Sequence, residues 1–192
     1  AFRFRKGDGA AVEAAMARAV TIVSLDLVNN RVTAAAMEPR VAIASHDDGH
    51  FLLRLSGQAV HPIRDQLADD VFRMPRDRIR LVAPDVGGGF GAKNFLFPEY
   101  VAQMVAARRL GRPVRWVSER MEDFVSTTHA RDNRTQARLG LDAQGRFLAL
   151  DVRTVANLGA YLSGGGPGSS TNAPGTAMGG LYDMLKYAKE GA

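Results

Sequence analysis

The sequence predicts an α+β fold, in which a mixed sheet with hairpins carries packed helices. Strand-like segments cluster before and after a single helix-rich stretch, which is the pattern typical of this class. The chain has 192 residues, 46% of them hydrophobic, and a chain of that length buries roughly 70% of its unfolded surface on folding. One domain is therefore the simplest expectation.

The first part of the chain predicts one helix followed by strands. Residues 10–20 have helix-forming composition, and Asp8 precedes them as a capping residue. Val, Ile and Thr dominate the segments that follow, with turn signals at Asn29-Asn30 and at Asp47-Asp48-Gly49. These features predict strands joined by hairpins over residues 21–28, 32–44 and 51–55.

The middle of the chain predicts two helices around a strand. Apolar residues recur every four positions at Ile63, Leu67 and Val71, which places them on one face of a helix over residues 61–72. A buried strand is expected over residues 79–86. A second helix over residues 97–110 tolerates Pro98 in its first turn and stops at Gly111-Arg112-Pro113.

The remainder predicts shorter elements and two segments of different character. A strand over residues 114–117 and a helical turn over 121–125 precede a hairpin, 135–141 with 147–155. Seven of the seventeen residues in 164–180 are glycine, so we expect a loop there that is disordered or ordered against another chain. Residues 1–9 read as a basic leader, and residues 181–192 as a tail of helical composition.

Composition excludes several classes of function. With no cysteine, the chain offers no disulfide, thiolate zinc site or iron–sulfur ligand, which fits a cytoplasmic location. No apolar run approaches the ~20 residues of a membrane span. The net charge of +5 comes from basic residues interleaved with acids and few aromatics, so nucleic-acid binding is not expected. The four histidines show no metal-ligand spacing.

Three consecutive glycines in DVGGGFGAK, residues 85–93, need a specific explanation, because each glycine costs conformational entropy on folding. They lie between a predicted strand and a predicted helix, where bare backbone presents N–H groups to an anion. One interpretation is a dinucleotide site, in which Gly87, Gly89 and Ala92 match the G-x-G-x-x-G/A spacing and Glu119 holds a ribose. A phosphate-binding loop fits less well, because Lys93 is followed by Asn94 rather than Ser or Thr.

A second interpretation comes from a family resemblance. DVGGGFGAK, together with MEPR at 37–40, SGQ at 56–58 and RDQL at 64–67, resembles the molybdenum hydroxylases. That family includes xanthine dehydrogenase, aldehyde oxidase and the large subunit of aerobic carbon monoxide dehydrogenase. The likeness is collinear over roughly residues 10–182 and stops before Met184.

The resemblance implies that the chain is a fragment of a large subunit, with residues 10–163 forming part of a molybdopterin-binding domain. Its cofactor would be a molybdopterin-type molybdenum cofactor. Iron–sulfur clusters and FAD are expected on other domains or subunits, which with the remainder of the large subunit would be its partners. The implied reaction oxidises a small carbonyl, heterocyclic or carbon monoxide substrate with water as oxygen source, and the chain alone would be inactive.

The resemblance also implies roles for particular residues. Gln58 would donate its side-chain amide to an oxo ligand of the metal, although Gln at a strand end is ordinarily just an exposed polar residue. No residue is expected to ligate the metal directly, and no catalytic residue is expected within this chain. The backbone lining the same centre would belong to Gly88, Gly89, Phe90 and Gly91.

Three further residues match positions of the family. Asn94 would lie in the substrate pocket, where purine-oxidising members carry a glutamate, so xanthine is not the expected substrate. Glu38 and Arg40 are interpreted as a structural ion pair or turn contact. A non-catalytic scaffold or interaction module remains the alternative from another functional class.

Overall fold

The computed structural model describes residues 3–170 and 177–191. Instead of one core, the chain forms two compact units. The terminal unit combines Ala1–Val32 with Ala130–Ala192, and the central unit comprises Thr33–His129. Two short strands, β3 (Val32–Thr33) and β8 (His129–Ala130), lie where the chain passes between the units. Within the described ranges, no helix is long and apolar enough to cross a membrane.

The terminal unit is a five-stranded sheet with one main helix. Its strands run in the order β1-β11-β10-β9-β2, and only the β10–β11 pair is parallel. The helix α1 (Gly9–Met16) buries Val12, Ala15 and Met16 together with Ala149 of the sheet. The strands are β1 (Arg3–Gly7), β2 (Thr21–Asn29), β9 (Asn133–Leu141), β10 (Phe147–Ala156) and β11 (Leu185–Gly191).

Pairing in this sheet confirms one predicted hairpin and corrects two other predictions. The β9–β10 hairpin forms as expected. The strand β2 pairs with β9 instead of the next strand-like segment, so Asn29-Asn30 does not close a hairpin. The tail predicted as helical forms β11, because pairing with β1 on one side and β10 on the other outweighs helical propensity.

The glycine-rich stretch is only partly described. Gly166–Ser170 forms the short helix α5 where a loop was expected. Residues 171–176, which belong to the predicted loop, lie outside the described residues.

Asp8 caps α1 as predicted, accepting a hydrogen bond from the Ala11 N–H at 3.0 Å. The helix ends earlier than expected because the Val20 N–H already bonds to the Leu141 carbonyl in the sheet, at 2.9 Å. We expect Asp8→Ala to lower the free energy of unfolding by ~1 kcal/mol. Asp8→Asn keeps an acceptor and serves as control. Urea denaturation measures both, and equal losses in the two variants would contradict the capping role.

The central unit is built on a four-stranded sheet with order β6-β5-β4-β7. The β4–β5 hairpin turns at Asp48 and Gly49, within the predicted turn, and both residues have positive φ. The strand β6 returns parallel to β5, and β7 pairs antiparallel with β4. These strands are β4 (Val41–Asp47), β5 (His50–Leu55), β6 (Ile79–Val82) and β7 (Val114–Val117).

Helices cover this sheet and bury its core. The predicted helix 61–72 forms as α2 (Val60–Gln66) followed by a π-helical turn, Leu67–Phe72. A 3₁₀ turn, Arg76–Arg78, precedes β6. The helix α3 (Pro98–Leu110) starts at the proline and stops at Gly111 in the left-handed conformation, as predicted, and α4 (Arg120–Ser126) follows β7. The buried core includes Phe51, Leu53, Ile63, Leu67, Tyr100 and Met104.

Two predicted strands are shorter in the structure, and both differences bear on function. The expected strand 32–44 is interrupted, so that the MEPR stretch is irregular and carries Glu38 and Arg40 between β3 and β4. The expected strand 79–86 ends at Val82. The glycines therefore lie within a long connection, residues 83–97, which we call the glycine loop.

Candidate functional site

The glycine loop makes a tight turn with its tip exposed. Gly88, Phe90 and Gly91 have φ of 98°, 52° and 85°, and this left-handed region is unfavourable for any residue with a Cβ. Phe90 adopts it nevertheless, and its side chain is 76% exposed. A Cβ at Gly88 would lie 2.8 Å from the Phe90 ring, so this glycine leaves space for the ring. The tip thus presents bare backbone beside one aromatic side chain.

Gln58, which follows β5, lies across this loop. Its Oε1 accepts hydrogen bonds from the backbone N–H groups of Gly91 at 3.0 Å and Lys93 at 3.3 Å. The backbone N–H of Gln58 donates to the Lys93 carbonyl at 3.1 Å. A Cβ at Gly89 would lie 2.2 Å from Gln58 Cδ. Only glycine therefore permits this contact. The structure brings together Gln58 and the backbone that the sequence predicted to share one centre.

The Gln58 amide keeps a free donor. Two backbone N–H groups face one atom of the side chain, which must therefore be the oxygen, and this leaves Nε2 on the other side. The side chain is exposed. No acceptor within the described residues is paired with Nε2. Asn94 is also exposed and directly follows Lys93, at the end of the turn.

Beneath the loop lies a polar cluster of Glu38, Ser56 and Lys93, which we call the loop clamp. Glu38 Oε2 accepts from the Gly87 N–H at 2.8 Å, from Ser56 Oγ at 2.6 Å and from Lys93 Nζ at 3.1 Å. Lys93 Nζ also donates to the Glu38 carbonyl at 2.8 Å and to Ser56 Oγ at 2.5 Å. A Cβ at Gly87 would lie 2.5 Å from Glu38 Cβ, which explains the first glycine of the run.

The environment of Glu38 lowers its pKa. Partial burial alone would raise the pKa, but hydrogen bonds from Ser56, Gly87 and Lys93, with the charge of Lys93, outweigh it and hold the pKa below its ordinary value of 4.5. The carboxylate form is therefore the one that the folded loop stabilises.

This lowered pKa predicts a pH-dependent contribution to stability. A carboxyl whose pKa is lower in the folded state stabilises the protein above its unfolded pKa and loses that contribution as the pH falls through the folded pKa. We expect Glu38→Gln to be less stable than the unsubstituted protein near pH 7, with the difference shrinking as the pH falls below the ordinary value of 4.5. Unfolding free energies across this range measure it. A difference independent of pH would contradict the assignment.

Arg40 joins two helices, α3 and α4. Its side chain is 0% exposed and donates to both carboxylate oxygens of Glu99 at 3.2–3.3 Å, to Asp123 Oδ1 at 3.2 Å and to Ser126 Oγ at 2.6 Å. Glu38 and Arg40 are thus structural residues as expected, but each forms its ion pair with other partners. Together they tie the MEPR stretch to the loop and to α3 and α4.

Aromatic rings enclose the same guanidinium. Its carbon lies 3.9 Å from the centroid of Phe97 and 5.3 Å from that of Trp116, distances typical of cation–π contacts. Burial raises the pKa of the neighbouring Tyr100 to about 12, so its hydroxyl stays protonated. This part of the central unit is structural.

The geometry does not fit a dinucleotide site. Glu119 belongs to a capping box at the start of α4. The carboxylate of Glu119 accepts a hydrogen bond from the backbone N–H of Glu122, and the carboxylate of Glu122 accepts one from the backbone N–H of Glu119. The glycines are separated from α3 by several loop residues, so they do not lie at its N-terminus. The strands β6 and β7 are not neighbours, since β5 and β4 lie between them.

Sequence reasoning missed the role of Lys93 and Ser56. The sequence suggests only a phosphate-binding role for Lys93, whereas its side chain is 2% exposed and donates hydrogen bonds to Glu38 and Ser56. The signal that could have identified it is its place two residues after Gly91, the last glycine of the loop, since a lysine there can reach back beneath the loop.

Comparison with known proteins assigns the family. The family model described as the molybdopterin cofactor-binding domain matches residues 1–191. The chain belongs to this family. The match includes residues 184–191, where the sequence resemblance had stopped, while the predicted limits of the domain at residues 10 and 163 stay a prediction.

Relatives of this cofactor-binding domain are much longer proteins. It is 36% identical over 162 residues to the carbon monoxide dehydrogenase large chain of Hydrogenophaga pseudoflava, covering 83% of this chain and 20% of that one. It is 35% identical over 152 residues to the 6-hydroxypseudooxynicotine dehydrogenase complex subunit gamma of Paenarthrobacter nicotinovorans, covering 79% and 19%. The domain thus spans about a fifth of these relatives.

A solved structure shows the same fold. Reconstituted CO dehydrogenase from Oligotropha carboxidovorans superposes with a TM-score of 0.86 at 30% sequence identity, over 98% of this chain and 24% of that one. The α+β class predicted from the sequence is therefore confirmed.

Proposed function

We propose that this domain holds one side of a molybdopterin-type molybdenum cofactor in the large subunit of an oxidoreductase of the aldehyde oxidase or carbon monoxide dehydrogenase type. The observation that carries the proposal is the free amide donor of Gln58 beside the bare backbone of Gly88, Gly89, Phe90 and Gly91. The family match supports the same cofactor.

The donor chemistry of the site fits such a group. An anionic, oxygen-rich cofactor needs hydrogen-bond donors and room to approach the main chain. Gln58 Nε2 supplies the donor, and a Cβ at Gly91 would meet nothing within 4 Å, so the loop is open on that side. When bound, the cofactor supplies the two-electron oxidation of the substrate. Gln58 binds and orients it, and the loop backbone packs against it.

The complete enzyme needs residues and partners beyond this domain. We propose that the remainder of the large subunit, with iron–sulfur and flavin domains or subunits, supplies them. The substrate would be a small carbonyl compound, a heterocycle or carbon monoxide, oxidised with water as oxygen source. Asn94, exposed at the end of the loop, would face the substrate, and because purine-oxidising members carry a glutamate at this position, xanthine is not the expected substrate. The cytoplasmic location stays a prediction.

Replacing Gln58 with glutamate tests the proposal. Gln58→Glu keeps the size and one acceptor oxygen but turns the donor into a negative charge, which would repel an anionic cofactor. We expect molybdenum per purified complex to fall by about tenfold or more, as for loss of a charge-assisted hydrogen bond. Gln144→Glu, in an exposed turn, makes the same chemical change elsewhere and should retain the metal. Elemental analysis of both complexes measures this.

Two outcomes would contradict the proposed function. Full molybdenum content in the Gln58→Glu complex would show that Gln58 does not bind the cofactor. An unsubstituted complex without molybdenum would leave the domain as a scaffold.

A further inference from the structure

Lys93 has an unusual environment for a lysine. Its ammonium group is buried, and its three protons are matched by three acceptors: the Glu38 carbonyl, Glu38 Oε2 and Ser56 Oγ. A buried charge is tolerated only when it is paired and hydrogen-bonded in this way. Because the donors are all used within the protein, Lys93 does not present a free cation to a ligand.

The loop clamp joins the two ends of the glycine turn. Gly87 at its start donates its N–H to Glu38 Oε2, and Lys93 at its end donates to the same oxygen. One carboxylate oxygen therefore fixes the separation between the two ends. Ser56 ties this oxygen to the end of β5, two residues before Gln58.

The backbone of Lys93 holds Gln58 itself. The Lys93 carbonyl accepts the Gln58 N–H, and the Lys93 N–H donates to Gln58 Oε1. The side chain of Lys93 thus anchors the loop to Glu38 and Ser56, while its main chain orients the side-chain amide of Gln58. A shift of Lys93 would move the acceptor and the donor that determine where Gln58 Nε2 points.

We propose that Lys93 and Glu38 are positioning residues for the cofactor contact of Gln58. The inference rests on the function proposed above, and goes beyond it by assigning the direction of the Gln58 donor to the ion pair of buried Lys93 with partly buried Glu38. Loss of the pair leaves Gln58 in the sequence but lets its amide and the loop move.

Hydrogen exchange and metal content of the purified complex test this together. We expect Lys93→Met to raise the exchange rate of the amides in residues 87–93 by about tenfold or more, as for loss of a hydrogen bond to a charged group. Molybdenum content should fall by a similar factor. Lys6→Met, at an exposed lysine of β1, is the matched control and should change neither.

A double variant separates positioning from general stability. Glu38→Gln with Lys93→Met removes both charges, so no unpaired carboxylate or ammonium remains and the midpoint of unfolding should recover towards that of the unsubstituted protein. Molybdenum content should stay low, because residue 93 is no longer tied to Ser56 and the Glu38 carbonyl. Recovery of molybdenum along with the midpoint would overturn the positioning role.

Other results would also overturn it. Unchanged exchange in Lys93→Met would show that the clamp does not hold the loop, and faster exchange with full molybdenum content would show that the loop position is irrelevant to the cofactor. If the unsubstituted complex lacks molybdenum, the proposed function fails, while the exchange comparison with Lys6→Met still decides whether the clamp positions the loop.

Discussion

Replacing Arg40 with methionine is expected to lower the free energy of unfolding by roughly 3–5 kcal/mol, which is typical of removing one partner from a buried ionic network. Glu99 and Asp123 would each lose a cationic partner, and Asp123 is itself largely buried. Methionine fills part of the space between Phe97 and Trp116, so the loss is chiefly electrostatic. Urea denaturation followed by circular dichroism measures it.

An exposed arginine provides the matched control. Arg76 also pairs with two carboxylates, Asp65 and Asp69, but in contact with solvent. Ion pairs of this kind contribute little to stability, so Arg76→Met should change the midpoint of unfolding only slightly. Similar losses of stability in the two variants would show that burial of Arg40 does not increase its contribution to the free energy of unfolding.

Elements with local signals were predicted well from the sequence. The helix α3 begins at Pro98 and ends at Gly111, because a proline suits the first turn of a helix and a glycine suits its left-handed end. The hairpin β4–β5 likewise has its turn residues, Asp48 and Gly49, at the tip. In each case, the residues that determine the structure are close together in the chain.

Elements that depend on partners distant in the sequence were not predicted correctly. Thr21 of β2 faces Leu141 of β9, and no feature near Asn29-Asn30 signals that pairing. The tail has helical composition but becomes β11 because two strands pair with it from either side. Pairing between distant segments also creates the separate terminal unit, and local sequence signals do not determine such pairing.

The candidate site was predicted in part, and for a different reason. The contact between Gln58 and the glycine loop was expected from the family resemblance, since an exposed glutamine and a glycine run have no periodicity that links them. The structure gives the physical link, which is the absence of a side chain at Gly89. The ion pair of Glu38 with Lys93 was not predicted because Arg40, two residues away in the sequence, was the expected partner of Glu38, whereas Lys93 is 55 residues away.

Replacing Gly89 with alanine is expected to remove most of the molybdenum from the complex. The added Cβ would lie 2.2–2.5 Å from three atoms of Gln58, namely Cγ, Cδ and Oε1. Real side chains do not approach so closely, so Gln58 or the loop must move. The φ of Gly89 is not positive, so alanine is not strained by the backbone itself. Overpacking of this kind costs about 1–3 kcal/mol of unfolding free energy.

A double-mutant cycle tests whether the close contact with Gln58 is what makes Gly89→Ala destabilising. Gln58→Ala removes the three atoms that the new Cβ would meet, so Gly89→Ala should destabilise the Gln58→Ala protein much less than it destabilises the unsubstituted one. Molybdenum content should remain low in the double variant, because the amide donor is gone. If the two substitutions instead lower the free energy of unfolding additively, Gly89 is not what allows Gln58 to lie across the loop, and the proposed cofactor contact loses its structural basis.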